Sequence, residues 1–394
     1  MPLFNLGFRP FFLAAGLFSA VAMIAWGFAY PGLITLPLNL PAMFWHGHEM
    51  IFGYAVAVIA GFLLTSVRNW TGLPTPHGWP LAGLVGLWLA ARAAFWNGHL
   101  LLAMGADLLF ALALLLSLLT PLIRTRQTAQ IGLMSWLILL LASNQLFYLI
   151  TAELSAPWLP NTVNLRQPLM AGLYVLVAFV LLMIGRLLPA FTRMATGGKV
   201  ELVELAGGTQ TKSVMTLLMV LFVLLAPNWL NSPTATALAE ITALLLAVLH
   251  GYQLWRWRHR EIAARPLLWV IYAAYLFFVI GFLAYAAQPL GVPGIVATHA
   301  LAVGGVGLAT LGLMARVALG HTGRDVYHPP KLILPMILLL VTGSVLRVCT
   351  PVLFPQFYLQ GVIIAQFFWV AAFLAFLLVY TPMLVTTRPD GKPG

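Results

Sequence analysis

Charge is scarce in this chain of 394 residues. Only 7% of its residues are Asp, Glu, Lys or Arg, and acids are the rarest class, at 9 against 20 Lys and Arg. A soluble globular chain carries about 25% charged residues, so an ordinary soluble fold is excluded. Cysteine is almost missing. The single Cys349 rules out an intramolecular disulfide, a cysteine-ligated iron–sulfur cluster and a C-x-x-C-H haem attachment. Any redox centre must therefore rest on histidine, methionine, carboxylate or a non-covalent haem. Long polar stretches are lacking too: the longest, Ala195–Thr211, is "ATGGKVELVELAGGTQT".

What is present is apolar. Hydrophobic residues make up 62% of the chain, and the mean hydropathy is +0.97. A membrane-spanning helix needs roughly 20 mostly apolar residues. Twelve segments meet that rule, near 9–30, 43–67, 79–97, 100–122, 131–152, 168–189, 213–230, 236–255, 267–288, 294–319, 332–352 and 358–383. The first is too long for a signal peptide and lacks a small-residue cleavage site, so it reads as a span. The expected fold is an all-α polytopic membrane protein of about twelve transmembrane helices. Residues 1–394 form one integral membrane domain, with expected halves 1–195 and 212–394 joined by the loop 195–211.

The net charge of +11 follows from topology rather than from nucleic-acid binding. With both termini cytoplasmic, 17 of the 20 Lys and Arg residues fall on the inner side, from Arg9 to Lys392. The outer side keeps Arg92, Arg166 and Arg347. The basic loops then face anionic lipid headgroups. "QLWRWRHREIAARP", Gln253–Pro266, reads as an aromatic and basic anchor at the inner interface.

This topology gathers ionisable groups at one depth. His46, His48 and Glu49 open the second span in "FWHGHEMIFGY", and His299 lies about one turn inside the tenth. His99 and Glu153 sit in outer connections, beside the outer ends that carry Arg92, Arg166 and Arg347. Ionisable groups within a membrane are costly and default to a functional reading. His46, His48 and His299 thus form a metal-like constellation, with His99 as a further donor. On a regular helix His46 and Glu49 share a face while His48 points away. Small residues follow each site along its stripe: Gly53, Ala57 and Ala60 below His46, Gly304 and Gly307 below His299. They permit close helix approach or leave room for a flat macrocycle. The arginines would fork onto haem propionates or an anionic substrate, and Glu49 would orient an imidazole or carry a proton. A second set, His321, Arg324, Asp325 and His328, closes the tenth span on the inner side.

These motifs add up to a resemblance. "FRPFFL" at Phe8–Leu13, "WHGHEMIFGY" at Trp45–Tyr54, "GFLLTSVRNWTG" at Gly61–Gly72, "GRLLPAFT" at Gly185–Thr192 and "HALAVGGVGLATLGLMARVALGHTGR" at His299–Arg324 resemble the NnrS family across nearly the whole chain. Departures are slight, with Arg68 where proline is expected and Ser66 where alanine is expected. The resemblance implies a multi-pass protein of the bacterial inner membrane, linked to nitric oxide metabolism, denitrification and nitrosative stress. It also implies non-covalent haem b, with copper as a second candidate, on His46, His48, His299 and His321. On this reading the protein binds or reduces nitric oxide. A membrane donor, quinol or cytochrome c, supplies electrons, and Glu49 and Glu153 are the candidates for proton transfer. Haem–copper oxidases offer a distant analogy, with haem histidines on their second and tenth spans, although spans six and seven here carry no histidine. The alternative expectation is a transporter or chaperone for haem, copper or another small ligand.

Overall fold

The computed structural model describes residues 2–38, 40–154, 163–202, 205 and 207–391. Lys392, assigned above to the inner side, lies outside them. Among the described residues there is no strand. A chain this apolar satisfies its backbone polar groups inside helices, the only open-ended structure that lipid tolerates.

Among the described residues eleven helices are long and apolar enough to cross a membrane, and a twelfth is shorter. In chain order they are α1 (Phe8–Ala29), α2 (Ala42–Thr71), α3 (Trp79–Trp96), α4 (Leu100–Arg124), α5 (Thr128–Thr151), α6 (Arg166–Ala195), the shorter α7 (Thr209–Leu225), α8 (Pro233–Trp257), α9 (Pro266–Ala286), α10 (Gly294–His321), α11 (Ile333–Leu353) and α12 (Pro355–Val385). The segment expected at 213–230 is displaced most. Gly207 and Gly208, both at positive φ, open α7 early. Pro227 follows its last turn and cannot continue a helix. Conversely α6 runs through Pro189 to Ala195, since neighbouring groups in a membrane bundle re-satisfy the backbone that proline frees.

Burial orders the spans. In α2 and α6 83% of the most apolar window is buried and in α10 78%, against 28% in α4. These three helices form the centre. Around them α1 packs on α2 and α12, α6 on α5, and α9 on α8 and α10. The two sequence halves are therefore interleaved at the core, and the connection 195–211 joins α6 to α7.

Glycine sets the closest approaches, and of the two readings of the small-residue stripes close helix approach is the one seen. A Cβ at Gly53 would meet Phe18 at 2.7 Å, one at Gly307 would meet Trp369 at 2.7 Å, and one at Gly304 would overlap Phe277. Aromatic rings from neighbouring spans pack directly against these glycines.

At the far end of the bundle from His46, Arg9 joins the first span to the last. Its Nη1 donates to the carbonyls of Leu384 at 2.8 Å and Thr386 at 2.7 Å, closing the end of α12. Beside it the Phe8 amide donates to Thr65 Oγ1 at 3.0 Å, so two motifs of the resemblance meet there.

Candidate functional site

Two helices in the centre change their winding directly after their histidines. α2 turns π-helical over Glu49–Ala55, after His46 and His48. α10 does the same over Ala300–Gly307, after His299. Such wide turns occur in short pieces, frequently at functional sites. The wider turn keeps Glu49 angularly close to His48, so Glu49 sides with His48 and not, as regular geometry predicts, with His46.

A cavity of about 450 Å³ opens between the halves, lined by α1, α2, α6, the end of α9, α10, α11 and α12. This volume lies within the usual 300–1,000 Å³ of ligand pockets. Tyr30, Arg166, Gln288, Gly294 and Tyr358 line it at span ends, while Tyr54, Val306 and Trp369 lie deeper. His46 and His299 both face it. The His299 ring is aimed by its own helix, with Nδ1 3.0 Å from the Ile295 carbonyl. An Nδ1–H donated there leaves Nε2 with its lone pair free, the usual arrangement of a ligating imidazole. His46 stacks on Trp26 with centroids 4.4 Å apart and planes 19° apart. Its buried Nδ1 has no hydrogen-bond partner.

The walls are positive and soft. Arg347 is buried, and its Nη2 donates to Tyr358 Oη at 3.1 Å. Among the described residues neither Arg347 nor Arg166 has a carboxylate partner, and no carboxylate lines the cavity. Arg347 lies within electrostatic reach of both imidazoles. The thioethers of Met23, Met43, Met50 and Met170 complete the lining. The cavity thus brings two imidazoles together with two guanidinium groups that no carboxylate among the described residues neutralises.

The remaining candidates lie elsewhere. His48 is fully buried on the opposite face of α2, stacked on Phe95 at 4.2 Å. Its Nδ1 is 2.9 Å from Glu49 Oε1 and its Nε2 is 2.9 Å from Asn144 Oδ1, so neither nitrogen is free for a metal. Arg92 Nη1 donates to Glu49 Oε1 at 2.6 Å, and Nη2 pairs with Asp107. Tyr148 and Asn144 also donate to Asp107, and Trp96 Nε1 donates to Glu49 Oε2 at 2.5 Å. This network bonds both carboxylates several times over, as burial demands. His99 and Glu153 are exposed and outside the cavity. His321 ends α10, against Phe8, some 22 residues from His299 or about 33 Å at 1.5 Å per residue. The single ionisable layer expected from sequence thus divides into a cavity and a closed network. Among the described residues no three His, Cys, Asp or Glu side chains are grouped to hold a metal ion.

Sequence reasoning missed the rest of the network. Asp107 was legible, being one carboxylate within a 25-residue apolar helix. Asn144, Tyr148 and Trp96 were not, because such residues are common at helix ends and interfaces.

No curated protein matches the chain. The family model for the NnrS protein matches residues 2–388, nearly the whole length, and a multi-pass helical architecture built on the motifs above accompanies it: the chain belongs to the NnrS family.

Proposed function

We propose that the cavity holds a non-covalent haem b and that the protein binds or reduces nitric oxide from the bacterial inner membrane. The observation that carries the proposal is that two imidazoles, His46 and His299, line one cavity with two guanidinium groups, Arg166 and Arg347, that have no carboxylate partner among the described residues. The cavity residues fit that group. His46 or His299 would hold its metal, and Arg166 and Arg347 would take its propionates, which arginine binds in a forked geometry. When bound, haem supplies a metal that coordinates and activates nitric oxide.

The chain's own residues supply the surroundings. Trp26 and Trp369 give the cavity apolar walls. Reduction of two nitric oxide molecules to nitrous oxide and water takes two electrons, from a quinol or cytochrome c, and two protons. Glu49 is tied within its network and Glu153 is outside the cavity, so proton transfer falls to phenols that face it. Tyr358 Oη is held by Arg347, and Tyr54 Oη is paired with Thr310 Oγ1 at 2.7 Å. Copper is a second candidate, since thioether and imidazole donors suit its monovalent form.

Optical spectra of the detergent-purified protein, oxidised and reduced, with and without nitric oxide and alongside metal analysis, test this reading. A haem band that nitric oxide perturbs supports it. Turnover with a reductant separates an enzyme from a transporter or chaperone that merely carries haem or copper. Absence of both haem and metal would overturn it.

A further inference from the structure

The two cavity histidines are aimed differently. His299 is oriented by its bond to the Ile295 carbonyl. His46 has no hydrogen bond at Nδ1 and is in ring contact with Trp26 alone. A ligating ring has to be held to within about 0.5 Å and 10–20° of its working position. For His46 that precision has to come from the backbone of α2.

We infer that the buried network of His48, Glu49, Arg92, Asp107, Asn144, Tyr148 and Trp96 is a positioning device for His46, gripping the far face of α2 where it passes from α to π winding. At 3.6 residues per turn, His46 and His48 point roughly 200° apart. Any rotation that swings His46 out of the cavity therefore drags His48 off Asn144 Oδ1 and Glu49 off Arg92 and Trp96. The grip is rigid because it is anchored in three other helices: Arg92 and Trp96 on α3, Asp107 on α4, Asn144 and Tyr148 on α5. None of these three helices lines the cavity. Apart from the bond between His48 Nε2 and the Asn144 amide oxygen, their bonds are made to the buried carboxylates of Glu49 and Asp107, the class least willing to break. His48 and Glu49 are thus positioning residues, and Arg92 and Asp107 are the fixed frame behind them. The inference rests on the proposed reading of His46 as a ring that meets a ligand in the cavity, and not on which ligand that is.

The test is recorded on the full-length protein without ligand. With 5-fluorotryptophan incorporated, the 19F line of Trp26 is assigned by Trp26→Phe, and its position without the imidazole is given by His46→Ala. Asp107→Asn is expected to move the Trp26 line toward the His46→Ala position, while the line of Trp255, at the other end of the bundle, stays in place. Tyr148→Phe removes only the hydroxyl that donates to Asp107 and is read in the same way if Asp107→Asn does not fold; a smaller shift in the same direction is expected. A Trp26 line fixed at its wild-type position in a variant whose melting temperature has fallen would overturn the inference, because the network would then only staple α2–α5 together. A failure of the haem reading leaves this measurement intact. Conversely, a haem band that is unchanged in both variants, beside an unmoved Trp26 line, would sink the positioning role and spare the haem proposal.

Discussion

His46 and His48 are two residues apart and serve different interiors. His46 faces a positive cavity with an unpartnered Nδ1, while His48 has both ring nitrogens engaged by Glu49 and Asn144. About half a turn of helix separates an imidazole that faces the cavity from one whose two nitrogens are both engaged. The two positions therefore respond differently to the same substitution.

His46→Ala is expected to remove or shift the haem Soret band at a stability cost of about 0.5–1.5 kcal/mol, the worth of its stacking on Trp26. His299→Ala should alter the band as well. His48→Ala leaves buried partners uncompensated and is expected to cost about 3–5 kcal/mol. Absorption spectra together with thermal unfolding in detergent separate the cases. Unchanged spectra in both His46→Ala and His299→Ala would remove the ligand assignment.

Arg347→Gln is expected to weaken retention of an anionic ligand tenfold or more, since a hydrogen bond to a charged group is worth about 1.5–3 kcal/mol. Arg347→Lys keeps the charge without the fork and should fall between. Dissociation followed by transfer of haem to apomyoglobin gives the order directly. Equal rates for all three proteins would take Arg347 out of the site.

Arg9→Gln acts at the far end of the bundle. Its guanidinium closes the carbonyl end of α12 from α1, and its removal is expected to cost about 2–4 kcal/mol through lost charged hydrogen bonds. The optical spectrum should not change. A spectral shift without loss of stability would mean that this end communicates with the cavity.

Gly304→Ala places a methyl group against Phe277 in the π-helical stretch after His299. Overpacking of this kind costs typically about 1–3 kcal/mol. Lower melting temperature and yield are expected. An unaffected protein would show that Phe277 has room to move, and that the close packing of α9 on α10 is softer than its geometry implies.

Much of the molecule was legible in the chain. A run of roughly 20 apolar residues can do little else than span a bilayer, so eleven of the twelve expected spans followed from hydropathy alone, and the twelfth is the shorter α7. α7 was misplaced because its limits are drawn by Gly207, Gly208 and Pro227, which a hydropathy window averages away. The cost of burying charge likewise singled out His46, His299, Arg166 and Arg347, which do meet at the cavity. It flagged His48, Glu49 and Arg92 with equal force. Depth in the membrane says that a charged group needs a partner; it does not say whether that partner is protein or ligand.

That choice belongs to the tertiary structure. Whether a nitrogen is satisfied depends on which helices pack against its face, and Asn144 lies 96 residues from His48 along the chain. The π turns that carry Glu49 to the network side have no signature in hydrophobic periodicity, because they shift the angle of a few residues without changing their polarity. The chain by itself determined the family, the helices and the level at which ionisable groups collect. Packing alone decided that the layer splits into a closed network and an open cavity, because only neighbouring side chains determine whether a buried polar atom is paired.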